Sequence, residues 1–203
     1  MKITLATYLS LDGVMQAPGM PGEDLRGGFT HGGWQHPFAD EELETFTTEW
    51  FAEADAFLLG RRTYEIFAAH WPTVTDPGNA VAARLNALPK YVVSTTLDAV
   101  GWHNATLIGS DVLKEVAELK AKPGRELQIH GSGALAQSLL DAGLIDELRL
   151  WNYPVVLGSG RRLFEPGRKA TSLRLLESRT TGSGCVVNVY QPVGDATYGD
   201  FTR

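Results

Sequence analysis

LQIHGSGALAQSLL, residues Leu127 to Leu140, decides how this chain is read. An apolar run ends in Gly131, Ser132 and Gly133, and a helical pattern opens at once. The layout is strand, tight turn, helix. It aims several free backbone N–H groups and the positive end of a helix at one point, a place suited to an anion such as a dinucleotide pyrophosphate. The run is not G-x-G-x-x-G, because no third glycine follows at the required place. Small residues also serve close strand-to-helix packing. The segment by itself therefore leaves two readings open, an anion cradle or a tight structural turn.

A second segment has the same layout. In ADAFLLGRRTYEIF, residues 54 to 67, Ala56 to Leu59 reads as a buried strand that Gly60 ends. Arg61, Arg62 and Thr63 follow at a helix start, with Tyr64 and Phe67 spaced to face a core. Glycine lets a ligand approach the backbone, the guanidiniums supply charge, and Thr63 can cap and donate. Paired arginines are commonly a solvated face. Here a strand delivers them to a sheet edge, where ligands bind in open α/β sheets.

Hydrophobic periodicity spreads the same alternation outward. Strands are expected at Lys2 to Leu11, Tyr91 to Ser94, Thr106 to Gly109 and Glu147 to Pro154. Helices are expected from Asp40, with Leu43, Phe46, Trp50 and Ala54 on one face, over Asn79 to Leu88, from Ser110, and from Ser132 to Ala142. Leu173 to Arg179 and Cys185 to Gln191 alternate around a Thr-Gly-Ser-Gly turn and read as an antiparallel hairpin. The expected fold is α/β: three layers, α/β/α, around a mixed, mostly parallel sheet closed by that C-terminal hairpin. No repeat or linker divides the chain, so residues 1 to 203 read as one domain. Gly13 to Pro37 is a long, glycine-rich, lid-like loop. The tail from about Val193 is expected to fray.

Composition bounds the function. The chain has 203 residues, 43% hydrophobic and 21% charged, and a net charge of −6. No Lys/Arg-rich run is present, which argues against nucleic acid and anionic membrane as partners. The single cysteine, Cys185, lies in an apolar strand-like run and reads as a core thiol. The opening MKITLATYLSLDG has no signal-peptide pattern and is too short to span a bilayer. The expectation is a cytoplasmic protein. His31, His36, His70, His103 and His130 are scattered without a cysteine cluster, so no metal is expected.

The motifs carry a family resemblance. GRRTYEIF resembles the phosphate-binding segment of dihydrofolate reductases. SLDG at residues 10 to 13, ADAFLLG, and the stretch from His130 to Phe164 resemble the reductase domain of the bifunctional riboflavin-biosynthesis deaminase/reductase. The resemblance runs from Ile3 to Tyr190, with the motifs in the family's order. It implies a dihydrofolate-reductase-like fold and an NADPH-dependent reductase acting on a small planar heterocyclic or carbonyl substrate. The cofactor-binding residues it implies are Gly60, Arg61, Arg62, Thr63, Ser94, Thr95, His130, Gly131, Ser132, Gly133, Ala134 and Leu135. Arg62 with Ser94 and Thr95 would take a 2′-phosphate.

Two departures narrow the substrate. In the riboflavin reductase the helix before ADA offers an arginine to a substrate phosphate. Here that stretch is Glu49-Trp50-Phe51-Ala52-Glu53, which repels phosphate. No residue matches the carboxylate that grips a pterin in dihydrofolate reductases, so folate is not carried over. Asp12 is the candidate proton donor, against its reading as an ordinary Asp-Gly turn residue. Trp34, Phe38 and Glu44 are candidate substrate contacts, against a loop pinned by Trp34 and Phe38. The alternative function is a non-catalytic nucleotide- or pterin-binding protein. A homodimer is expected, because Leu148, Leu150, Trp151 and Tyr153 load both faces of one strand.

Overall fold

The structure, a computed structural model, describes residues 1–200. Parallel strands β1 (Lys2–Ser10), β2 (Ala54–Gly60), β3 (Lys90–Val93), β4 (Ala105–Ile108), β5 (Glu126–His130) and β6 (Glu147–Tyr153) are joined by an antiparallel pair, β7 (Thr171–Thr180) and β8 (Val186–Asp195). The sheet order is β4-β3-β2-β5-β1-β6-β8-β7. Helices α1 (Glu41–Glu53), α2 (Arg61–His70) and α3 (Ala80–Ala87) pack on one face, and α4 (Val112–Ala121) and α5 (Gly133–Asp141) on the other. This is the expected three-layer α/β arrangement.

Each face follows from strand alternation. Leu127 and Ile129 of β5 join Ile3, Leu5, Val116, Leu135 and Leu139 in the core beneath α4 and α5. Glu126, Gln128 and His130 alternate onto the opposite face, beneath α1. There Arg149 bonds Glu126 at 2.6 and 3.0 Å and Glu147 at 2.9 Å, and Lys2 completes the run on Glu147 at 2.6 Å. Trp50 of α1 covers the Arg149 guanidinium at 4.9 Å. Buried charges persist only when paired in this way.

The structure bears on three expectations. Leu148, Leu150, Trp151 and Tyr153 are all buried within the single chain. A strand apolar on both faces is what an interior strand of a parallel sheet requires, so it gives no argument for a second copy. β8 continues through Val193 to Asp195, where it pairs with Thr171, past the point where fraying was expected. The last part of that expected tail, residues 201–203, lies outside the described residues. The Gly13 to Pro37 loop is fastened along much of its length. Val14 pairs with Arg162, Met15 N–H donates to Arg161, and Gly33 N–H donates to Ala17. Val14, Ala17, Phe29 and Trp34 are buried. Among the described residues no helix is long and apolar enough to cross a membrane.

Candidate active site

Because β3, β2, β5, β1 and β6 are parallel neighbours, their C-terminal ends meet along one edge. The two segments singled out in the sequence meet there too. Gly60 N–H donates to Ser132 Oγ at 3.0 Å, and Ser132 N–H donates to Thr63 Oγ1 at 3.1 Å. Ser132 Oγ donates in turn to the His130 carbonyl at 3.0 Å. Gly131 and Ser132 both take left-handed backbone (φ 56° and 51°), which lets the chain turn directly from β5 into α5. Neither α2 nor α5 has a side-chain cap, so no capping side chain occupies their first-turn N–H groups. Gly60 itself has ordinary extended backbone (φ −70°), and a Cβ there would meet Ser132 at 3.6 Å, an ordinary contact.

Arg61 and Arg62 stand at the start of α2, and both are half-exposed. Neither is free of acids. Arg61 lies 3.8 Å from Glu65, and Arg62 lies 3.4 Å from Glu65 and 3.9 Å from Asp24. Asp24 comes from the long loop, and Arg26 holds it with an Nε–H bond of 2.8 Å. Ser94 follows β3 beside this group, because Gly60 pairs with Val93. Its hydroxyl accepts from Thr96 N–H at 3.1 Å and Leu97 N–H at 3.0 Å, while Thr95 is exposed. Ala134 is exposed, and Leu135 buries its side chain in the core. These two bring only backbone groups to the edge.

Beneath α1 the same edge continues as a packed aromatic cluster. Tyr8 meets Trp151 and Tyr153 edge-on at 5.1 and 5.8 Å, and Tyr153 is edge-on to Trp34 and Phe38 at 5.4 and 5.9 Å. Burial holds both Tyr8 and Tyr153 un-ionised far above the usual phenol range. The His130 imidazole stacks on Phe51 at 4.4 Å. Burial, with Arg149 nearby, holds its pKa down at about 3, so it is neutral. His130 was expected among the cofactor contacts. Its carbonyl does join the glycine turn, but its ring lies under α1.

Residues 1–187 match the family model described as the RibD C-terminal domain. The chain belongs to this family. It is 32% identical to the uncharacterized protein YyaP of Bacillus subtilis (strain 168) over 145 residues, 70% of this chain and 77% of that protein. A putative riboflavin biosynthesis protein from Shewanella sp. PV-4 superposes with a TM-score of 0.73 at 24% identity, covering 95% of this chain and 99% of that one. Dihydrofolate reductase from Enterococcus faecalis, complexed with NADP(H) and RAB-propyl, superposes with a TM-score of 0.60 at 12% identity, covering 94% and 96%. At these identities the two structures establish a shared dihydrofolate-reductase-like fold.

Within this RibD C-terminal domain fold the expected proton donor does not fit its role. Burial alone would raise the Asp12 pKa, but bonds from Ser10 Oγ and from the Leu157 and Gly158 N–H groups outweigh it and hold it at about 2. Arg162 adds an ion pair at 3.3 Å. Asp12 is thus an ionised clasp that ties the end of β1 to residues 157–162. Trp34 is buried, with its indole N–H donated to the Gln16 carbonyl at 2.8 Å. It packs edge-on against Tyr153 within the aromatic cluster. Phe38 is half-buried at the rim, and Glu44 is exposed on α1.

Sequence reading missed Tyr8, Tyr153 and Met15. A Cβ built on Gly133 would lie 2.6 Å from Met15 Sδ, so Met15 covers the start of α5. Strand alternation on β1 and β6 was the signal available for the tyrosines. An open groove of about 660 Å³ lined by Tyr64, Ala68, Asn86 and Trp102 shares no residue with the helix starts. Tyr64 Oη and Asn86 already serve as partners within it, to the Gly101 and Trp102 backbone and to the Trp102 indole.

Proposed function

We propose that this chain is a cytoplasmic NADPH-dependent reductase of a small planar heterocyclic or carbonyl compound. The observation that carries the reading is the reciprocal bonding of Gly60, Thr63 and Ser132. It holds two uncapped helix starts side by side, with two guanidiniums next to them. Such a place suits a dinucleotide with its phosphates. Gly60, Thr63, Gly131, Ser132 and the first N–H groups of α5 would hold the pyrophosphate, and Arg62 with Thr95 the 2′-phosphate. The chemistry such a cofactor supplies is hydride donation, while the protein aligns the partners and excludes water.

The adjoining aromatic cluster offers a flat, uncharged substrate an apolar wall, because its charged neighbours are already paired. Arg149 is saturated by Glu126 and Glu147, and Asp40 by the Leu43 and Ser183 N–H groups. The second reading, a non-catalytic nucleotide- or pterin-binding protein, is favoured by the Asp12 clasp, which leaves no free carboxylic acid at the end of β1. The test is NADPH binding followed by NADPH oxidation against pterins, pyrimidines, quinones and aldehydes. Oxidation with one of these classes is the expected result. Tight binding with no oxidation by any of them establishes the second reading, and no NADPH binding overturns both.

A further inference from the structure

The open groove beside α2 has firm walls and one unused buried donor. Tyr64 and Ala68 of α2, Pro72 in the segment after it, and Trp102 before β4 line it. The Trp102 ring is held in place. Its indole N–H donates to Asn86 Oδ1 at 3.1 Å, and Asn86 Nδ2 donates to the Trp71 carbonyl at 2.9 Å. The volume, about 660 Å³, is that of a small-molecule site.

Tyr64 supplies the unused donor. It is 7% exposed, and its Oη accepts the Gly101 N–H at 2.9 Å and the Trp102 N–H at 3.2 Å. A phenol oxygen with two incoming bonds still carries its own proton. Among the described residues that proton meets no acceptor. The Tyr64 ring, Gly101 and Trp102 all border the groove, so a proton turned away from the two amides is turned toward it. A buried donor without a partner is costly, and an acceptor in the groove removes that cost. Gly101 keeps the space clear. Its φ lies outside the left-handed region, and a Cβ built there meets nothing within 4 Å. Neither backbone conformation nor packing requires a glycine at this position.

Charge selects the sign of the occupant. No carboxylate lines the groove. The fully buried Lys90 ammonium lies 4.6 Å from the centre of the Trp102 ring. It bonds the neutral Leu85 and Leu88 carbonyls, both at 2.7 Å, and no acid cancels its charge among the described residues. We propose that this groove is a second binding site, one for a small aromatic carboxylate. The ring lies against Trp102 and Pro72, and a carboxylate oxygen accepts the Tyr64 O–H. The groove shares no residue with the helix starts, so this binding is separate from the reductase reading.

The test is an NMR titration of the intact ¹⁵N-labelled chain with benzoate and with benzylammonium, its cationic counterpart. The expected result is saturable movement of the Gly101 amide and Trp102 indole resonances with benzoate, and about tenfold weaker binding of benzylammonium. Gly101→Leu fills open space and should abolish benzoate binding with an unchanged melting temperature. Tyr64→Phe should weaken benzoate about tenfold, the loss of one hydrogen bond to a charged group. That variant also removes the acceptor of two backbone N–H groups, so Gly101→Leu decides. An absence of saturable shifts at Gly101 and Trp102, or shifts confined to the starts of α2 and α5, overturns the proposal. So does undiminished benzoate binding by Gly101→Leu, or equal affinity for the cation.

Discussion

The Thr63 hydroxyl accepts the Ser132 N–H at 3.1 Å, so the first turn of α2 is tied to the turn that opens α5. Residues far apart in sequence thus form one floor. Gly60 lies at its centre with ordinary backbone and room for a methyl group. Gly60→Ala is therefore expected to leave thermal stability nearly unchanged while weakening NADPH binding, because the methyl occupies the space for close approach to the backbone. Calorimetric titration beside a melting curve checks both halves. Equal NADPH affinity in the variant would mean that the glycine serves no ligand.

The alternation of strands and helices was legible because each element carries its own periodicity and end signals. Asp40 illustrates this: it bonds Leu43 N–H at 2.8 Å as the expected helix cap. The roles of Asp12 and Trp151 were not legible. Asp12 is defined by N–H groups of residues 157 and 158, which no local pattern connects to it. Trp151 and Tyr153 looked like an uncovered surface because burial on both faces is a property of the whole sheet, not of the strand. The Asp24–Arg62 approach was hidden for the same reason, since a long loop has no periodicity to fix its path.

Acid stability follows from two clasps. Asp12 and Asp40 are both held at about 2, Asp40 by bonds from Ser183, Leu43 and Thr181 that outweigh the upward effect of burial. Their folded values lie below the usual carboxylate value, so their stabilisation is complete above about pH 5 and is lost as pH falls through 2. Asp40→Ala is expected to cost about 1 kcal/mol at pH 7, the usual worth of a helix cap, and to flatten the acid limb of the stability curve. Urea melts at pH 7 and pH 3 measure this. An unchanged difference between the two pH values would contradict it.

The long loop is expected to be mobile in part. Val14, Phe29 and Trp34 are buried, whereas Met20 and Leu25 are exposed between them. Hydrogen exchange should be fast from about Gly19 to Gly28, slow at Val14 and Trp34, and slowed by NADPH in the fast segment. Uniformly slow exchange, unchanged by the cofactor, would rule out a lid.

A homodimer is predicted from other residues than the sequence suggested. Leu175 and Leu176 of β7 and Val193 of β8 are about half-exposed on the terminal hairpin. Their burial against a second copy is expected to give a dimer by light scattering at micromolar concentration, and Leu175→Glu a monomer. A monomeric unmutated protein would end the idea.

Cofactor preference turns on Arg62. A 2′-phosphate adds about two negative charges, and a charge-assisted hydrogen bond is worth about 1.5–3 kcal/mol, roughly ten- to a hundredfold in affinity. Glu65 and Asp24 already neutralise part of the Arg62 charge, at 3.4 and 3.9 Å. Half-exposed pairs of this kind are weak, so the expected factor lies near the lower end of that range. Arg62→Ala should weaken NADPH about tenfold and leave NADH nearly unchanged. Asp24→Asn should act in the opposite direction, strengthening NADPH, because it frees the guanidinium for the phosphate. Isothermal titration with both cofactors reads all four combinations. Equal losses for NADPH and NADH in Arg62→Ala would place that side chain on the pyrophosphate instead. Equal affinities in the unmutated protein would remove the preference altogether.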